Sequence, residues 1–198
     1  MIEPAYRTQR YVLRPEKHWD DVAALAGRLG WPLAYETARN KNEGVDGQMI
    51  WQSPAGVSLH YVVDATSGIG YITLAGPDQE TVEGFTGQAL EALDPWQLTE
   101  LFQEYDRATD LAARGKLTLR LGLAASPEFS EACFRRIGLS LSDSDPRIRL
   151  AGLWAASYTG YQEFVPAVRR VAEEASEEWL RTRASSIVAA FEEVGGTS

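Results

Sequence analysis

The chain has 198 residues, 44 % hydrophobic and 24 % charged, with 19 Lys and Arg against 28 Asp and Glu for a net charge of −9. Such a length suits one domain or two small ones and buries roughly 70 % of the extended surface, enough for a core without disulfides or structural metal. The composition excludes a collagen, a disordered chain and a disulfide scaffold, and the acidic balance speaks against a protein that grips nucleic acid through a basic footprint.

The first residues, MIEPAYRTQRYVLRPEK, carry charge but no apolar stretch of the kind a signal peptide needs. No run approaches 18 apolar residues, so no membrane span is expected. A cytoplasmic, bacterial-type protein fits best. Tyr6–Arg14 and Leu33–Arg39 read as short strands. Between them Trp19, Val22, Ala26 and Leu29 recur at helical spacing, with Gly30 as the stop. Met49–Ser53, Val57–Asp64 and Ile69–Ala75 are β-branched and aromatic, split by Pro54-Ala55-Gly56 and Thr66-Ser67-Gly68, the punctuation of a three-strand meander. Val57, Leu59, Tyr61 and Val63 share one face of the middle strand; Ser58, His60 and Asp64 share the other. Asp78 then caps a helix with an apolar stripe of Val82, Phe85, Ala89 and Leu93. Trp19, Trp31 and Trp51 are expected as core fillers.

From residue 94 the strand signal disappears. Asp94-Pro95-Trp96-Gln97, Ser126-Pro127, Asp145-Pro146 and Ser176-Glu177-Glu178 read as helix starts, and Gly115, Gly160 and Gly195-Gly196 as stops. About six helices of 10–20 residues in antiparallel pairs are expected. The fold class is therefore α+β: a small N-terminal antiparallel sheet with helices over residues 1–93, then an all-α array of about three helix pairs over 94–198. Leu93 runs directly into Asp94-Pro95, so direct packing of the two parts is expected.

The helical half repeats. Shifted by 34 residues, Arg135-Arg136 falls on Arg169-Arg170, Arg147 and Arg149 on Arg181 and Arg183, and Ala155-Ala156 on Ala189-Ala190. A period of this size marks stacked supersecondary units. The segment Leu141–Ala155, with Asp143 six positions before Arg149 and small residues at Ala151, Gly152 and Ala155, resembles the turn and second helix of a HEAT repeat. Glu177 and Arg183 repeat the spacing, and Arg120–Ala125 resembles a degenerate earlier unit. The resemblance implies a HEAT-like array that serves as an interaction surface, with Asp143 and Arg149 as structural ladder residues.

Chemistry-bearing motifs are sparse. His18 and His60 have no cysteine partner at zinc spacing, and no phosphate-cradling glycine loop or nucleophile elbow occurs. Cys133 sits in an apolar-periodic stretch and reads as a buried small hydrophobe. Glu173, Glu174, Glu177 and Glu178 read as a solvated rim. No catalytic residue, cofactor or metal site is assigned. What stands out is Leu150, Trp154 and Tyr158, at i, i+4 and i+8 on a helix already buried through another face. This stripe is the expected partner-binding site, or else docks on the N-terminal domain; one period later the same positions hold Ala184, Val188 and Glu192.

The expected function is a non-enzymatic protein-binding module or adaptor, an inhibitor or immunity-type protein among the options, whose partner is a basic protein. One alternative is a nucleic-acid binder, since the repeat resembles that of DNA-alkylation-repair glycosylases; it requires Arg135, Arg147, Arg169 and Arg181 to line one face. The other is a small-molecule enzyme centred on the N-terminal sheet, with His60 and Tyr61 as an acid–base pair.

Overall fold

The computed structural model describes residues 5–195 of an α+β protein, which divides after Trp96 into two compact units. In the first, strands β1 (Tyr6–Arg7), β2 (Tyr11–Val12), β3 (Leu33–Thr37), β4 (Gly47–Gln52), β5 (Ser58–Val63) and β6 (Gly70–Gly76) form one antiparallel sheet in the order β1-β6-β5-β4-β3, β2 also pairing with β6. Helices α1 (Trp19–Leu29) and α2 (Gln79–Leu93) cover one face. Alternation decides which residues that face presents: Leu59 and Tyr61 of β5 lie opposite Leu74 and Ile72 of β6, and all four join Val22, Leu25, Val82, Ala89 and Leu93 in the core. The meander turns at Gly56 and Gly68, both at positive φ.

Three details depart from the sequence reading. The first strand is broken: Tyr6 faces Gly76 but Tyr11 faces Ile72, so β1 and β2 contain one residue more than β6 opposite them. Thr8 spans the irregularity, its amide donating to Leu74 O (2.9 Å) and its Oγ1 accepting from Leu74 N (3.0 Å). Trp19 is 54 % exposed rather than core, because the buried stripe of α1 runs through Val22, Leu25 and Ala26; Trp31 and Trp51 are buried as expected. Asp94 starts no helix. It ends α2 in the left-handed region (φ 43°), and residues 94–96 turn back on the sheet: Trp96 N donates to Val12 O (2.9 Å), and Arg14 Nε donates to Asp94 O (3.0 Å). That fold-back places the unit boundary after Trp96, three residues beyond the sequence reading.

The second unit comprises helices α3 (Leu98–Arg107), α4 (Leu111–Ala124), α5 (Glu131–Leu141), α6 (Pro146–Thr159), α7 (Val165–Glu174) and α8 (Glu178–Gly195). They pair as α3/α4, α5/α6 and α7/α8; the second helices α4, α6 and α8 lie side by side, and α5 lies beside α7. Two predicted signals are reassigned. Gly115 lies inside α4, facing Ile148, and Ser126-Pro127 is a loop held by Tyr161, whose hydroxyl donates to Ser126 O and Glu128 O (2.8 Å each); the cap of α5 is Ser130. Asp145-Pro146 does start α6, and Gly160 ends it at φ 69°. Among the described residues no helix is long and apolar enough to cross a membrane.

One device recurs at the start of each second helix. Arg114, Arg149 and Arg181 donate their amides to Asp110 O, Asp145 O and Glu177 O, the carbonyls that open α4, α6 and α8. Each guanidinium reaches back to the end of the preceding helix: Arg114 to Ala108 O (2.8 Å), Arg149 to Asp143 O (3.0 Å) and Arg181 to Ala175 O (2.7 Å). A cation there satisfies an orphan carbonyl at the negative end of the helix dipole and sets the turn of each pair. The true repeat thus matches Arg149 with Arg181, not with Arg183, because α7 and the turn after it are each one residue shorter than α5 and its turn.

Helix approach is governed by two glycines. A Cβ on Gly122 of α4 would stand 2.5 Å from Ala155 Cα and 2.7 Å from its carbonyl oxygen on α6; one on Gly152 of α6 would stand 2.8 Å from Leu141 N on α5. Neither neighbour is a flexible side chain, so the backbones themselves must separate. Gly122→Ala is expected to destabilise the protein by at least about 1–3 kcal/mol. Gly138→Ala in α5, where a Cβ would meet nothing within 4 Å, should instead stabilise it by roughly 0.5–1 kcal/mol. Urea unfolding of both variants tests the pair, and a neutral Gly122→Ala would contradict the contact.

Candidate functional site

Helix α6 is fastened on three sides, and this decides what its fourth side can do. Asp145 caps it, Oδ1 accepting from Arg147 N (2.8 Å), while the Arg147 hydrogen bonds hold the carboxyl down at about 2. Ile148, Ala151, Gly152, Leu153, Ala155 and Ala156 are buried. Leu150, Trp154 and Tyr158 are the half-buried residues of the remaining side, so the stripe read from the sequence does stand apart from the core face. Trp154 and Tyr158 stack with ring centroids 6.4 Å apart, and the Arg183 guanidinium of α8 lies 4.6 Å from the Trp154 centroid.

Helix α8 extends this surface in a way the sequence reading missed. Trp179 is 49 % exposed one turn before Arg183, and Glu178, Trp179, Thr182, Arg183 and Ser186 line an open groove of about 550 Å³. The expected next-unit stripe of Ala184, Val188 and Glu192 is not the counterpart, since Ala184 is fully buried. With Arg149 matched to Arg181, the positions equivalent to Leu150, Trp154 and Tyr158 are Thr182, Ser186 and Ala190. The i, i+4 spacing of Trp179 and Arg183 was the available signal; pairing Arg183 with Glu177 obscured it.

Three of the four arginines needed for a basic strip are engaged by carboxylates or helix-end carbonyls. Arg147 pairs with Asp145 (2.6 Å) and Arg169 with Glu192 (2.9 Å), while Arg181 holds helix-end carbonyls; Arg135 is exposed. Arg149 links successive helix pairs within the second unit, its Nη2 donating to Glu177 Oε2 (2.9 Å) before α8, and meets Asp143 through the backbone carbonyl rather than the carboxylate. Cys133 is fully buried, and burial pushes its thiol up.

On the sheet, His60 and Tyr61 point to opposite faces and form no acid–base pair: Tyr61 is in the core under the helices. His60 is only 7 % exposed, with Gln48 Nε2 3.2 Å from Nδ1 and Ser58 Oγ 2.8 Å from Nε2. With the amide donating to Nδ1, the ring carries its proton on Nε2 and donates it to Ser58, whose hydroxyl reaches Ala75 O (3.3 Å). Burial, aided by the Arg7 charge, holds the imidazole down at about 4, so it is neutral at pH 7. Among the described residues, no group of three or more His, Cys, Asp or Glu could hold a metal ion. Comparison with protein-family models, curated proteins and solved structures finds no match for this chain.

Two outcomes are expected. A histidine whose folded value lies below its unfolded one, near 6.5, contributes stability that is complete above pH 6.5 and is lost as the pH falls toward 4. Between pH 7.5 and 5 the loss should be about 2 kcal/mol, read as the excess pH dependence of wild-type unfolding over that of His60→Gln; parallel profiles would contradict it. Arg149→Ala should cost about 1–2 kcal/mol by freeing a carbonyl and a carboxylate together, and Arg149→Lys should restore little because one ammonium replaces a fork. An Arg149→Ala variant as stable as wild type would remove the bridge from the account.

Proposed function

We propose that this protein is a non-enzymatic binding module or adaptor whose helical half is a short HEAT-like array. The face formed by Leu150, Trp154 and Tyr158 of α6 with Trp179 and Arg183 of α8 engages a basic protein partner. The observation that carries the reading is the concentration of aromatic side chains and a planar guanidinium on adjoining sides of two neighbouring helices, Arg183 of α8 lying over the Trp154 ring of α6. Trp, Tyr and Arg are the residues that dominate binding energy at protein interfaces, and two of them here flank an open groove. The net charge of −9 favours encounter with a cationic surface. An inhibitor or immunity-type role for a basic partner is one form of this activity.

The competing readings draw less support. A duplex-binding array would need guanidiniums facing outward, and three of the four arginines in question are engaged by carboxylates or helix-end carbonyls. A site around His60 would need a ring nitrogen ready to exchange a proton, and both are engaged within the sheet.

The test is a comparison of Trp154→Ala, Trp179→Ala and wild type as the full-length chain. Each protein is used to capture partners from the native cytoplasm, and the captured protein is then purified and titrated. Truncating either tryptophan should weaken binding by roughly 30-fold or more, equivalent to about 2 kcal/mol, while the unfolding midpoint changes little. Binding at wild-type affinity by both variants would overturn the assignment of this face.

A further inference from the structure

We propose that β3 is a strand-addition site for an extended, Lys- or Arg-bearing segment of a partner protein, a second interaction surface independent of the helical face. Among the described residues β3 is the last strand of the sheet and pairs with β4 alone, and Leu33, Ala34, Tyr35 and Glu36 are all exposed. An open edge carries a row of backbone donors and acceptors that another strand can complete. The opposite edge is blunted: β1 and β2 are two residues each and separated by a bulge. β3 has five residues; Pro32 and an irregularity between Leu33 and Tyr35 guard its first end, while Tyr35–Thr37 holds no lysine, arginine or proline, and Leu33 (47 %) and Tyr35 (48 %) are exposed.

The edge is also held ready. At one end Pro32 O accepts from Gln52 N (3.1 Å). At the other, Arg39 Nε donates to Asp64 O (3.1 Å) and Nη2 to Ala65 O (2.7 Å), tying the end of the β3–β4 hairpin to the β5–β6 turn, while Asn40 bridges to Val45. An edge fixed in extended form loses little freedom when a strand is added.

The side chains specify the guest. The irregularity between Leu33 and Tyr35 leaves Tyr35, Glu36 and Thr37 in regular register opposite Ile50, Met49 and Gln48. A β-branched or aromatic residue fits beside Tyr35, and a cation beside Glu36, the only charge in the strand. A second copy of this chain fits poorly, because a five-residue edge buries too little area to join two bodies that each carry −9. A flexible segment with basic residues meets no such repulsion.

The test uses an acetylated octapeptide of alternating Val and Lys, titrated into the full-length chain with amide hydrogen exchange as the readout. Binding should slow exchange in residues 33–37. N-methylation of alternate amides along one edge of the peptide should weaken binding about tenfold or more, and along the other edge should leave it unchanged, since only one edge faces β3. Glu36→Lys, an exposed change, should weaken this peptide and favour one of alternating Val and Glu. Absence of binding, binding without protection at 33–37, equal affinity for both N-methylated forms, or indifference to Glu36→Lys would each overturn the proposal.

Discussion

The helical unit depends on the contact between Gly122 and Ala155. Backbone against backbone, α4 and α6 approach as closely as the absence of one methyl group allows, and the Gly152 contact does the same between α6 and α5. With two neighbours drawn in this tightly, α6 packs its small residues Ala151, Gly152, Ala155 and Ala156 together with Ile148 and Leu153, while Leu150, Trp154 and Tyr158 stay half-buried. The aromatic stripe lies apart from these close backbone contacts, and α8 meets it through Arg183 over the Trp154 ring.

Polar interactions inside the unit fix register. The guanidiniums of Arg114, Arg149 and Arg181 tie the start of each second helix to the end of the first. Between α3, α4 and α5 the Tyr105 hydroxyl donates to Arg136 O (2.9 Å) and meets Ser140 Oγ (2.9 Å), which in turn meets Thr118 Oγ1 (2.9 Å). Arg136 itself forks onto Asp106 and lies 4.4 Å from the Phe102 centroid. Each such group is satisfied only in one alignment, so the network selects that alignment even where its net contribution to stability is modest.

The sequence made the architecture legible where periodicity and capping agree. The meander, α1 with its Gly30 stop, Asp78 before α2 and Asp145-Pro146 before α6 all follow from local chemistry. It failed where one residue type serves two ends of a helix. Asp94-Pro95 has the grammar of a start, yet Arg14 draws Asp94 into a left-handed C-terminal cap, a contact 80 positions away that no local pattern shows. The 34-residue shift was close enough to reveal the repeat but paired the wrong arginines. That error hid Trp179 and Arg183 while leaving the α6 stripe visible, because the stripe is a property of a single helix.

The proposed working surface of this protein is the side of α6 and α8 that carries Leu150, Trp154, Tyr158, Trp179 and Arg183. Hydrogen exchange of the full-length chain, alone and with its captured basic partner, tests it without altering a residue. The account predicts added protection across residues 146–159 and 178–190. Protection centred on the His60 side of the sheet, or none in α6 and α8, would contradict it.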